Sequence, residues 1–159
     1  MKTPKLQHEL KKKQPFESPV VEAALSVVRT SDQFQIRGAR LLRQYELTPS
    51  QYNILRILRG EGKPLPILEI ASRTITVVPG ITGLIDRLEQ AGFVNRLRCD
   101  KDRRVIYVVL TDHGMTTLAA LDEPLNDLHH KLLGHLSQAE LKELIRLLEK
   151  LRAPWTNLE

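Results

Sequence analysis

Residues 98–104 read Arg-Cys-Asp-Lys-Asp-Arg-Arg, six charged side chains and one cysteine in seven positions. They run directly into Val-Ile-Tyr-Val-Val-Leu at 105–110, which carries no charge. The chemistry open to such a cluster is binding. Arg98, Lys101, Arg103 and Arg104 hold positive charge at neutral pH, and the planar arginine fork matches phosphate or carboxylate oxygens two at a time. Asp102 repels phosphate, so its use is to orient an arginine or to cap the turn. Cys99 is the single cysteine of the chain, so no internal disulfide framework exists. Arg98 and Lys101 beside it favour a thiolate, but a plain side chain in a turn is the simpler reading.

A second basic cluster opens the chain. Residues 1–13 hold five lysines and one glutamate, net +4, and residues 93–104 hold five basic and two acidic residues, net +3. Together they exceed the net charge of +5 carried by all 159 residues. Concentrated positive charge favours a polyanion, although a solvated tail and an idle hairpin turn would look the same by charge alone. Catalytic signals are lacking: no nucleophile–base pair, metal cluster or glycine-rich phosphate loop stands out. His129, His130 and His135 share one helical segment, but adjacent helical residues point about 100° apart. No metal, cofactor or enzymatic activity is expected. The composition, 42% apolar and 27% charged, is that of an ordinary globular chain. No apolar run nears the roughly 18 residues that span a bilayer, and MKTPKLQHELKKKQP lacks the apolar core of a signal peptide. These features predict a cytoplasmic protein with no membrane partner.

The charged cluster is positioned by its neighbours. FVNRLR at 93–98 alternates apolar and polar residues, as a half-exposed strand does. VIYVVL is the return strand, so the charges form a hairpin tip. Upstream, Ser18-Pro19 reads as an N-cap and first helical residue. The helix behind it runs to about Tyr45, with Val21, Ala24, Leu25, Val28, Phe34, Ala39 and Leu42 as its apolar positions. Their spacing slips around Ser31-Asp32, which leaves room for a bend. In LTPSQYNILRILRGEG, Thr48 is an N-cap, Pro49 follows, Gln51 completes a capping box and Leu47 and Tyr52 fit a hydrophobic staple. Ile54, Leu55 and Leu58 form the buried stripe, and Gly60 is the expected left-handed stop. Short helices follow at roughly 66–73 and 79–91. The second has Val78 as a poor N-cap, Thr76 one turn earlier, Ile81, Leu84, Ile85 and Leu88 on one face, and Gly92 as its close.

From Thr111 to Arg152 the chain is helical again. Leu118, Leu121, Leu125, Leu128, Leu132 and Leu136 recur every three or four residues, and Pro124 should kink or split the run. Ser137 and Glu140 make a second capping box before Leu141, Leu144, Leu148 and Leu151. The ladder is either intramolecular core or, with near-heptad spacing and no partner left in the chain, a dimer interface.

Two short helices joined by a tight turn and followed by a hairpin make a winged helix-turn-helix, in which the second helix enters the DNA major groove. LTPSQYNILRIL, IASRTITVVPGITGLIDRLEQAGFV and DKDRRVIYVVLTDHG together resemble MarR-type transcriptional regulators, over roughly residues 20–150. The resemblance implies a mainly α fold with a small β-hairpin wing, in which helices near both ends of the chain dimerise. On their own composition, polar with Pro4 and Pro15, residues 1–17 are expected to be a flexible basic arm with at most a short helix; the resemblance makes 18–46 and 111–152 the dimerisation helices and 47–110 the DNA-binding lobe, leaving 153–159 as a tail. It also implies a homodimer on a pseudo-palindromic operator of double-stranded DNA, expected to repress and often relieved by a small-molecule effector. Val21 and Leu25, with Leu132, Leu136, Leu141, Leu144, Leu148 and Leu151, are the candidate dimer contacts.

Arg103 and Arg104 match the family's wing arginines, and the Asp-x-Arg spacing favours Arg104 as the residue inserted into an A·T-rich minor groove. Arg98 and Lys101 join them on the wing. Ser72, Arg73, Thr74 and Thr76 are phosphate candidates. Val78, Pro79, Gly80, Thr82 and Gly83 offer few side-chain hydrogen bonds. Glycine permits close backbone approach, while valine and the Thr82 methyl suit thymine methyl groups, so direct base readout should be thin. Arg87 has two readings, a phosphate contact or an ion pair within the domain. Phe34, Tyr45 and Tyr52 are effector-pocket walls or core. A winged-helix module that binds protein and no DNA is the alternative function, motivated by the apolar start of helix 79–91.

Overall fold

A computed structural model of the chain describes residues 5–76, 79–98 and 105–157. The elements are α1 (Leu6–Glu9), α2 (Pro19–Leu42), α3 (Pro49–Glu61), β1 (Leu65–Pro66), α4 (Ile67–Ser72), α5 (Ile81–Gln90), β2 (Val94–Arg98), β3 (Ile106–Leu110), α6 (Asp112–Leu133) and α7 (Gln138–Arg152). Single 3-10 turns follow α2 and α7.

Local chemistry sets most of these boundaries. Ser18 Oγ accepts from the Val21 amide and Pro19 opens α2, which runs unbroken past Ser31 and Asp32. Both bonds of the Thr48–Gln51 capping box form at the start of α3, and both of the Ser137–Glu140 box at the start of α7. The end of α3 differs from expectation. Gly60 stays helical and Gly62, at φ +69°, takes the left-handed stop, its amide donating to Leu58 O at 3.1 Å. The longer helix brings Glu61 within reach of Arg73.

The start of α5 is also corrected. The helix begins at Ile81 rather than 79, and Gly80, not Val78, is the N-cap, at φ +67°. A left-handed N-cap is a glycine position, because a Cβ crowds the backbone there.

The wing is larger than a hairpin. β3 pairs antiparallel with β2 on one side and with the two-residue β1 on the other, giving the order β1-β3-β2. Val108 lies opposite Arg96 in one ladder and Leu65 in the other. Leu65-Pro66 carries no strand alternation of its own, so only the pairing partner makes it a strand.

The core lies between α3, α5, the sheet and the first half of α6. Ile54, Leu55, Ile70, Ile85, Leu88, Val94, Val108, Leu118 and Leu121 are each completely buried, and each contributes roughly 2 kcal/mol by leaving water. The leucine ladder therefore divides. Leu118, Leu121 and Leu125 are intramolecular core, whereas α7 has no buried residue at all.

Pro124 neither splits nor ends α6. Proline has no amide hydrogen, so the carbonyl four residues earlier loses its helical donor. That carbonyl belongs to Ala120, and Tyr45 Oη, in the 3-10 turn after α2, donates to it at 3.4 Å. Tyr45 thus acts here as a structural donor and packs against the core, as Tyr52 does.

Candidate nucleic-acid interface

The lobe is organised to present one face of α5. Leu84, Ile85 and Leu88 bury their side chains in the core, which leaves Thr82, Gly83 and Arg87 exposed. Arg87 has no carboxylate partner among the described residues, which favours its reading as a free cation. A Cβ built on Gly83 would meet nothing within 4 Å. Nothing among the described residues therefore requires glycine at this helical position, where it costs about 1 kcal/mol relative to alanine. Pro79 and Gly80 are exposed in the turn, as is Thr76. Ile75 beside it is 79% exposed and Leu68 on α4 is 82% exposed. Val78, Lys101, Asp102, Arg103 and Arg104 lie outside the described residues, so the wing tip stands as a reading of the sequence. Arg98, the last residue of β2, is exposed next to it.

Several expected phosphate contacts have other work. Ser72 Oγ donates to Glu69 O and Thr74 Oγ1 to Ala71 O, both at 2.9 Å, so these hydroxyls finish the end of α4. Arg73 is ion-paired with Glu61 at 2.7 Å and with Glu69. The Glu69–Arg73 pair has helical i,i+4 spacing and was legible in sequence; the Glu61 pair needed the fold. These bonds hold Glu61 below the ordinary carboxylate range, chiefly through Arg73 and then Lys63, and raise the Arg73 guanidinium in turn.

Because the folded-state value of Glu61 is depressed, its stabilisation is complete above the ordinary carboxylate range. It drains away as pH falls through the lowered value. Acid titration of stability should accordingly be shallower in Glu61→Gln than in the unmodified chain, as chemical denaturation at stepped pH would measure. Equal slopes would show that the exposed pair contributes nothing, the common outcome for surface ion pairs.

In the sequence Arg96 counts only toward the basic charge of residues 93–104. It faces α5 instead, with ion pairs to Asp86 and Glu89 and a hydrogen bond to Thr82 O. Its charge is spent inside the domain.

Away from this face, apolar surface is concentrated on α7 and on α2. Leu144 and Leu151 are 37% and 42% exposed. Ile145 and Leu147, like Val20, Val21, Leu25 and Val28 on α2, are exposed too. Leu132, Leu136, Leu141 and Leu148 are half-buried. A cavity of about 360 Å³ lies along α2, lined by Leu6, Glu9, Arg29, Phe34, Arg37 and Leu132 among others. Of the three expected effector-pocket walls, only Phe34 reaches it. Among the described residues no group of side chains is arranged to hold a metal ion, and no helix is long and apolar enough to cross a membrane.

Helix pair, three-stranded sheet and outward α5 face together define a winged helix-turn-helix DNA-binding protein. Comparison with known proteins narrows the class. The MarR family model matches residues 47–106. A MarR transcription factor from Planctomyces limnophilus, known from its crystal structure, is 43% identical, with 85% of this chain and 98% of that one covered at a TM-score of 0.67. The HTH-type transcriptional regulator YkoM of Bacillus subtilis is 30% identical over 143 residues, covering 85% of this chain and 90% of its own length. The HTH-type transcriptional regulator FarR of Neisseria gonorrhoeae is 26% identical over 140 residues, 86% of this chain and 95% of its own. The chain belongs to the MarR family. It is a DNA-binding transcriptional regulator.

Proposed function

We propose that the chain works in the cytoplasm as a homodimer on a pseudo-palindromic operator, and that it represses. In this reading α5 enters the major groove, Arg98, Lys101, Arg103 and Arg104 reach the minor groove or phosphates, and Asp102 orients an arginine. Thr76, Val78, Pro79, Gly80, Thr82, Gly83 and Arg87 form the remaining contact surface, with Ser72, Arg73 and Thr74 beside it. The observation that carries this reading is Gly83. It is a glycine in mid-helix on the exposed face of α5, with no neighbour among the described residues to explain it, and close approach of another backbone or of DNA does explain it.

Dimerisation is supported by the apolar surface of α2 and α7, which no other part of the described chain buries. A small-molecule effector, of unspecified chemistry, completes the proposal; the cavity along α2, with both apolar and charged walls, supports that reading.

The test is operator binding against salt. Affinity for DNA from the protein's own upstream region should fall with a log–log slope of about −0.9 per phosphate neutralised. Arg104→Ala should weaken binding by about 1–3 kcal/mol if this residue reads a groove. Absence of any shift at low salt would favour the second reading, a winged-helix module for protein partners, for which exposed Ile75 and Leu68 provide the apolar surface.

A further inference from the structure

We propose that Arg96 is the positioning residue that sets the roll of α5 against the wing, and that it makes no phosphate contact itself. The inference rests on α5 being the groove-facing helix. Thr82, Asp86 and Glu89 are spaced i, i+4 and i+7, so they fall on one side of α5. A single residue of β2 engages all three. Arg96 Nη2 donates to Thr82 O at 3.1 Å and is ion-paired with Asp86. Its Nε lies 3.7 Å from Glu89 Oε2, too far for a hydrogen bond, and its backbone amide donates to Glu89 Oε1 at 3.0 Å.

Two turns of the helix are thereby referenced to one point on the strand. Apolar packing alone holds a helix onto a core but is non-directional; hydrogen bonds and a planar guanidinium specify rotation. The consequence is that Thr82, the polar candidate for base contact, is aimed through its own carbonyl. Arg96 is only 23% exposed, and Val108 opposite it in the ladder is fully buried. Its partial burial within this network is what separates it from Arg98, exposed at the end of the same strand.

Asp86→Asn provides a test in which charge and position predict opposite signs. Removing a carboxylate from a DNA-binding face reduces repulsion of phosphate, so a purely electrostatic role for Asp86 makes the variant bind more tightly. If Asp86 serves to hold Arg96, the variant binds more weakly, by about tenfold, the size of one lost base contact. The probe is a duplex selected by the unmodified chain from a random library, followed by fluorescence anisotropy across a salt series.

Arg96→Gln should show a similar loss with an unchanged salt slope, whereas loss of a phosphate contact would reduce the slope by about 0.9. The double variant should lose little more than either single one, since both remove the same interaction. Amide hydrogen exchange over 81–90 should rise in Asp86→Asn while melting of the fold stays near that of the parent. Binding by Asp86→Asn at or above the parent's affinity overturns the proposal, as does a reduced slope in Arg96→Gln. Both outcomes are read against a parent that binds the duplex, so they leave the assignment of α5 to DNA untouched.

Discussion

Gly114→Val should lose about 3 kcal/mol of stability, because the added side chain has nowhere to go. In a chain of this size that lowers the melting temperature by about 6–12 °C. A Cβ at this position would stand 2.4 Å from Phe93 O and 3.0 Å from Leu110 Cδ2. The first of these neighbours is backbone and is held in place. Phe93 O accepts from the Thr111 amide at 3.1 Å, and Thr111 Oγ1 donates to Gly92 O at 2.7 Å while accepting from the Gly114 amide at 3.0 Å. Thr111 is thus both the N-cap of α6 and the latch that fastens α6 to the entry of β2. Relief of the clash requires either the latch or the β2 edge to shift, and both border the core. The control is Gly83→Ala, where a Cβ meets nothing within 4 Å; it should be neutral or stabilising, by up to about 1 kcal/mol. Thermal melts at one fixed protein concentration would compare them, since the proposed dimerisation would couple melting to concentration. Equal melting of Gly114→Val and the parent would refute the close approach.

Leu148→Glu should convert a dimer into a monomer and weaken operator binding by about 100-fold or more. Two linked half-sites gain roughly two to four orders of magnitude in avidity over one, and a monomer forfeits that gain. The expectation follows from α7, whose apolar residues Leu144, Ile145, Leu147 and Leu151 are exposed while none of its residues is buried. A glutamate introduced into a buried apolar interface leaves an unpaired charge without water, which costs far more than the lost leucine. In a protein that acts as a single chain, the same substitution on a half-buried helix would change little. Sedimentation velocity reads the assembly state, and anisotropy with a selected duplex reads the affinity. The winged-helix lobe should keep its helical content, because the packed leucines Leu118, Leu121 and Leu125 belong to its own core.

Much of this architecture was legible in the residues. Both capping boxes, the proline-led starts of α2 and α3, the alternating strand at 93–98 and the order of elements follow from rules spanning a few residues. The wing's charge was equally plain, but its division was not. Arg96 and Arg98 are two residues apart on one strand, and composition treats them alike. Only the packing of β2 against α5 places three acceptors around Arg96. The boundary errors have local causes of another kind. Gly60 and Gly62 are equally able to end α3 by conformation, and the ion pair of Glu61 with Arg73 is formed by the longer helix.

Local sequence alone determined the helices, the capping boxes that open α3 and α7, the hairpin and the winged helix-turn-helix order, since periodicity and capping act between neighbours. Tertiary structure alone decided that Leu65-Pro66 joins the sheet, that Tyr45 serves the carbonyl freed by Pro124, that Gly114 must lack a side chain and which leucines stay exposed. Those outcomes depend on backbone carbonyls and on partners tens of residues away. Every residue type carries the same carbonyl, so no reading of side chains in order can say where one will be needed.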